Sequence, residues 1–173
     1  MTTFPRTRGT RTILRMAAAL ALVAVSSPSA DEPAGWLLRE PDAIEWKPAE
    51  TLPPGAMVAV MEGDPTKEGF FSMRLKMPDG YQVPAHWHAK QERVTVLSGI
   101  LNLGHGDTFD PKATKALGAG TYSSMEPGMR HFAYMTGETI LQLSTMGPWT
   151  ITYVRPEDDP RRKGPQKASD TSH

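Results

Sequence analysis

Gly80-Tyr-Gln-Val-Pro-Ala-His86-Trp-His88-Ala-Lys-Gln-Glu92-Arg-Val-Thr-Val-Leu-Ser-Gly99 is the stretch from which the rest of the chain can be read. Side chains alternate between the faces of an extended strand, so His86 and His88, two apart, share one face. Glu92 has the same parity and returns to that face if the chain turns at Ala89-Lys90-Gln91. Two imidazoles and a carboxylate converging on one point make a metal site of intermediate hardness.

Extended segments continue on both sides. Upstream, Met57-Val-Ala-Val-Met61 is a short apolar run closed by the turn signal Gly63-Asp64-Pro65. Phe71, Met73, Leu75 and Met77 alternate with Ser72, Arg74 and Lys76, the pattern of a half-buried strand. Downstream, Val94 and Val96 share the parity of Glu92. Ser98-Gly99 reads as a tight turn after which Ile100–Leu103 returns antiparallel, and Gly104-His105-Gly106-Asp107 opens a polar loop through Lys115. Thr121–Met125, His131–Met135, Thr139–Thr145 and Thr150–Val154 read as further strands, separated by Glu126-Pro127-Gly128, by Gly137 and by Gly147-Pro148. No segment after residue 31 repeats apolar residues with a helical period. Roughly eight to ten short strands at this spacing predict an all-β sandwich or small barrel.

With 173 residues and no cysteine, the chain is one domain by size and needs no disulfide framework. Residues 1–30 read as a secretory signal peptide. Arg6, Arg8, Arg11 and Arg15 form a basic start, Met16–Val25 is an apolar run too short to span a membrane, and small residues through Ala30 follow. The expected location is the periplasm or outside the cell, with no stable membrane anchor. Removing this segment leaves 15 basic against 19 acidic residues, a formal charge of −4, which argues against a nucleic-acid or anionic-membrane partner. Residues 31–43 read as an N-terminal arm, 44–154 as the domain, and 155–173 as a charged, disordered tail.

A second block, Gly120-Thr-Tyr-Ser-Ser-Met-Glu126-Pro-Gly128-Met-Arg-His131, places a third histidine on a strand just after a glycine turn. Together the two blocks resemble the cupin superfamily. Gly80, His86, His88, Glu92 and Gly99 stand at every position of the family's first motif. Gly120, Gly128 and His131 match the second, which departs at Glu126, usually proline, and at Met135, usually asparagine. The resemblance covers roughly residues 44–154. It implies a single double-stranded β-helix, a jelly-roll of two antiparallel sheets, with His86, His88, Glu92 and His131 as metal ligands. Three imidazoles and one carboxylate suit one divalent transition metal ion, Fe, Mn, Ni, Zn, Co or Cu, without choosing among them.

Other residues carry less. His105 sits at a loop tip, where exposure is the ordinary state. Trp87 points away from His86 and His88. Phe71, Met73, Met125, Phe132, Tyr134 and Trp149 are core or pocket candidates, with core preferred. Gln91 and Arg93 either orient Glu92, meet a substrate or lie on a solvated face, Glu126 is either an acid–base group or a turn residue, and Tyr122 and Tyr153 have no readable place. The resemblance extends to oxygenases, oxalate-degrading enzymes and sugar-phosphate isomerases, and to the cupin domains of anti-sigma factors. The expected function is therefore a periplasmic, mononuclear metal-dependent enzyme of dioxygenase type acting on a small molecule. The alternatives are a non-catalytic metal- or ligand-binding or sensing module, or a structural protein with a relic metal. A homodimer is expected from the sheet edges of such a fold.

Overall fold

The computed structural model describes Met1 and residues 35–162. The expected signal peptide and the end of the tail, 163–173, lie outside these residues, Met1 apart. From Leu37 onward the described chain belongs to one compact unit. It contains nine strands: β1 (Lys47–Pro48), β2 (Met57–Glu62), β3 (Gly69–Met77), β4 (Gln82–Trp87), β5 (Glu92–His105), β6 (Thr114–Gly118), β7 (Tyr122–Met125), β8 (His131–Gly147) and β9 (Thr152–Tyr153). No α-helix occurs among the described residues, and none there is long and apolar enough to cross a membrane.

All pairings are antiparallel, and two long strands organise them. The C-terminal half of β8 pairs with β3 and with the N-terminal half of β5, giving one wall in the order β1-β2-β3-β8-β5-β7. The N-terminal half of β8 pairs with β4 and with the C-terminal half of β5, giving a second wall in the order β9-β4-β8-β5-β6. β5 and β8 thus belong to both walls, and the sheet curls into a double-stranded β-helix.

This corrects two expectations. Ser98-Gly99 is not a hairpin turn, and Gly137 does not end a strand: β5 and β8 run continuously through them. Both glycines have left-handed backbone, φ 73° at Gly99 and 72° at Gly137. At Gly99 the β5–β8 register shifts twice, between Val96 and Ser98 and between Ser98 and Ile100. A β-bulge of this kind bends a strand and changes which parity faces inward. Accordingly Val94 and Val96 are buried before it and Leu101 after it. A Cβ at Gly99 would lie 2.3 Å from Thr139 Oγ1 and 2.5 Å from the Glu138 carbonyl, so only glycine fits. The buried Thr139 hydroxyl accepts from the Ile100 N–H at 3.2 Å and donates to the Gly137 carbonyl at 3.1 Å, supplying partners the bend takes from the ladder.

A third correction concerns the polar loop after Gly104. Its last two residues, Thr114 and Lys115, begin β6, which pairs with Ile100–Gly104 of β5. The strand was hidden because none of its five residues is buried.

The inward faces of both walls meet in Met73, Met77, Val96, Met135, Leu141 and Leu143, each at most 8% exposed. Burying a large aliphatic side chain in this way contributes roughly 1.5–3 kcal/mol. On the outer side of β8, Phe132 and Tyr134 pack with Phe109, at ring separations of 5.5 and 6.5 Å. The charged segment after Val154 is ordered through Arg162. It forms two single turns, Pro156–Asp158 and Pro160–Arg162, and Arg161 donates to the Ile151 carbonyl at 3.0 Å.

Candidate metal centre

One strand pairing and one bend bring the cluster together. His86 lies in β4 and pairs directly with His131, the first residue of β8. His88 stands one residue beyond β4, and a bend at Ala89-Lys90 returns Glu92 to the same side as the first residue of β5. All four side chains are buried, and one ligand atom from each lies within 4.8 Å of the others. The imidazole centroids are 4.2 to 5.5 Å apart.

Each ring is held by its far nitrogen. Nδ1–H of His86 donates to the Pro84 carbonyl at 2.7 Å, that of His88 to Thr150 at 2.8 Å, and that of His131 to Met129 at 2.9 Å. A carbonyl only accepts, so Nδ1 carries the proton and each neutral ring turns an Nε2 lone pair inward. Trp149 stacks on His88 with ring centroids 4.1 Å apart and planes inclined by 17°, and Phe71 buttresses Trp149 edge-on at 6.2 Å.

The electrostatics of the cluster are unfinished. Glu92 Oε2 lies 3.4 Å from His88 Nε2 and 3.1 Å from His131 Nε2, yet Oε2 and His88 Nε2 are buried without a hydrogen bond. Lone pairs and a carboxylate facing one another in a buried site favour a positive charge between them. Without a cation, protons fill that role in part. Burial would lower the His131 pKa, but Glu92 beside it raises the net value above the ordinary one. Burial pushes Glu92 up, and the three imidazoles around it more than reverse that, leaving it below the ordinary carboxylate value. Burial, with His131 and His88 adding to it, lowers His86 to about 3, and burial lowers His88 despite Glu92. The donor set, three neutral nitrogens and an ionised carboxylate, fits a divalent transition ion.

The cluster opens into a cavity of about 600 Å³. Its walls are aliphatic, with Met73, Met77, Met125 and Met135 among them, and Trp149 and Ile151 beside the cluster. Part of its rim is the strap Ala49–Gly55 between β1 and β2. Tyr153 Oη donates to the Thr51 carbonyl at 2.8 Å and Tyr81 Oη donates to Pro53. Burial raises the pKa of both phenols, keeping them protonated donors.

Among the other sequence candidates, Met73 and Met125 belong to the buried core, Trp149 packs against it, and all three also border the cavity. Phe71 sits behind Trp149, while Phe132 and Tyr134 lie on the outer face of β8. His105, the last residue of β5, is exposed and outside the cavity. The Gln91 side chain donates to Ser124 and to the exposed Glu126, each at 2.9 Å, and accepts from Arg93, so this trio supports the outer surface. Trp87 is half-buried and Tyr122 exposed. The stacking of Trp149 on His88 and the tyrosine-held strap had no sequence signal, because they join segments 28 to 102 residues apart.

A family profile described as a domain of unknown function, DUF4437, matches residues 23–152. The chain belongs to the DUF4437 family. No curated protein matches it. Among solved structures, this DUF4437 chain is similar to the polyketide cyclase RemF from Streptomyces resistomycificus, at 16% identity over 71% of this chain and 88% of the other, TM-score 0.59. It is also similar to a candidate acetylacetone dioxygenase from Methylibium petroleiphilum, at 18% identity over 76% and 90%, TM-score 0.56. An RmlC-like cupin from Shewanella frigidimarina matches at 16% identity over 62% and 87%, TM-score 0.51. Such identities speak to the fold alone, and the DUF4437 fold seen here is the cupin double-stranded β-helix.

Proposed function

We propose that this DUF4437 chain binds one divalent transition metal ion through His86, His88, Glu92 and His131, and acts as a mononuclear metal-dependent enzyme of dioxygenase type on a small molecule. The observation that carries the reading is the convergence of three imidazoles and a buried carboxylate, with His88 Nε2 and Glu92 Oε2 left without a hydrogen-bond partner and each ring fixed by a backbone carbonyl. When bound, the ion would supply Lewis acidity and, for Fe, Mn, Ni, Co or Cu, redox capacity. The chain's own residues do the rest. The three Nδ1–H bonds hold the rings in position, Trp149 stacks over His88, and the aliphatic walls limit water around a reacting molecule.

One observation favours a second reading, a non-catalytic metal- or ligand-binding or sensing module. Among the described residues lining the cavity, the titratable groups besides the cluster are Lys47 and Glu50, both exposed at the rim. Glu92 is then the one interior group able to move a proton. Export to the periplasm rests on the character of residues 1–30. Homodimer formation is supported by Phe70 and Met146, register partners that are both exposed on the outer face of the first wall.

Metal analysis of purified protein is expected to find close to one equivalent of transition metal. Protein loaded in turn with Fe²⁺, Mn²⁺ and Ni²⁺ is then expected to consume O₂ with at least one chelating substrate such as a β-diketone or a flavonol. No metal after reconstitution would sink the site, and tight ligand binding without turnover across the panel would establish the second reading.

A further inference from the structure

The cavity also says what kind of molecule it takes. Its walls are built from Met73, Val94, Leu101, Leu103, Leu141 and Leu143, contributed by both sheets, and they offer no fixed charge and no hydrogen-bonding side chain away from the cluster and rim. A sugar, a phosphate ester or a zwitterion placed there would leave buried polar groups without partners, at a cost such sites do not recover. A volume of about 600 Å³ is that of a pocket for a drug-sized molecule, far more than acetate or acetylacetone would fill. Inside the cavity the polar end of an occupant is satisfied at the cluster, since Lys47 and Glu50 lie exposed at the rim. Three neutral imidazoles and ionised Glu92 would leave a divalent ion there with one uncompensated positive charge, and a buried charge needs a counter-charge.

We infer that the site takes an amphiphile: an apolar body of about ten or more carbons bearing one monoanionic oxygen-donor head, which turns toward the His86, His88, Glu92 and His131 cluster. The inference rests on the metal reading above for the sign of the head, and on the cavity alone for the body. A carboxylate and the enolate of a 1,3-diketone share this head chemistry.

The test is calorimetric titration of the whole chain, zinc-loaded and metal-free, with dodecanoate and with a twelve-carbon 1,3-diketone. Acetate and acetylacetone report the head alone, and dodecyltrimethylammonium reports the body with the wrong charge, all below micellar concentrations. With zinc bound, at least one long anion is expected to bind at least about a hundredfold more tightly than its short analogue, because every buried methylene adds affinity. The tighter of the two identifies the head as carboxylate or enolate. Leu141→Trp, which fills the cavity, is expected to weaken the long anion at least tenfold while zinc content, measured separately, stays near one equivalent. Leu101→Phe gives a milder version should the first variant fold poorly. Zinc loading normally while long and short anions bind alike would overturn the inference and leave the metal reading standing. Failure to load zinc would overturn the metal reading. Long-chain binding equal for anion and cation, or equal with and without zinc, would overturn the assigned head.

Discussion

The cavity is bounded by two kinds of structure that are held in different ways. The strand wall that carries the cluster is fixed by long antiparallel ladders, by the Thr139 brace at the bend and by three imidazole–carbonyl bonds. The strap Ala49–Gly55 has two backbone bonds, Ala49 N–H to Ala56 and Leu52 N–H to Ala49, and depends otherwise on two tyrosine hydroxyls. The contrast teaches that chemistry and access are assigned to separate parts. The strap rests on the core through Ala49 and Leu52, but it carries fewer backbone bonds than the wall and is the less strongly tied of the two.

The strongest way to break this comparison is to remove a wall ligand. His131→Ala or His86→Ala is expected to reduce bound metal from about one equivalent to near none, more than the 10–100-fold loss typical of a supporting partner. Elemental analysis showing full loading in both variants would contradict the assignment. Next in size is Gly99→Ala, which forces a side chain into the Thr139 contact at a left-handed backbone position. A loss of about 2–4 kcal/mol is expected, read as a fall in thermal midpoint, and an unchanged midpoint would mean the bend is not braced as described.

Trp149→Ala tests how far the wall extends into loops. Metal affinity is expected to fall about tenfold with the fold retained, and Trp149→Phe to restore part of it. For the strap, Tyr153→Phe and Tyr81→Phe each remove one hydrogen bond, worth about 1 kcal/mol. Amide exchange should quicken at Leu52 and its neighbours while β5 and β8 keep their protection. Equal acceleration in both regions would erase the distinction. The smallest effect belongs to His105→Ala and Glu126→Gln, exposed groups whose loss should leave metal content and midpoint unchanged.

The first block was legible because strand parity is a local rule: it put His86 and His88 on one face, and a bend of two residues returned Glu92. The glycines were harder. Gly99 and Gly137 look like turn signals in sequence, and only their long-range pairing shows that they bend strands without ending them. β6 lacks the alternation by which a strand announces itself, and Trp149 meets His88 from a loop sixty-one positions away. Those contacts are tertiary, and no local pattern encodes them. That the core residues Met73 and Met125 also border a cavity was equally hidden, since both states ask for the same residue type.

The placement of His131 has a consequence for assembly of the molecule. His86, His88 and Glu92 come from one short stretch, but His131 enters about forty residues later, at the head of the strand that joins both walls. An ion held by all four ties those parts of the chain together as a covalent bridge would. By the loop-closure relation used for disulfides, a tie across about forty residues removes about 4 kcal/mol of freedom from the unfolded chain. In a sequence without a single cysteine, the cluster with an ion bound would thus also serve as the fold's cross-link.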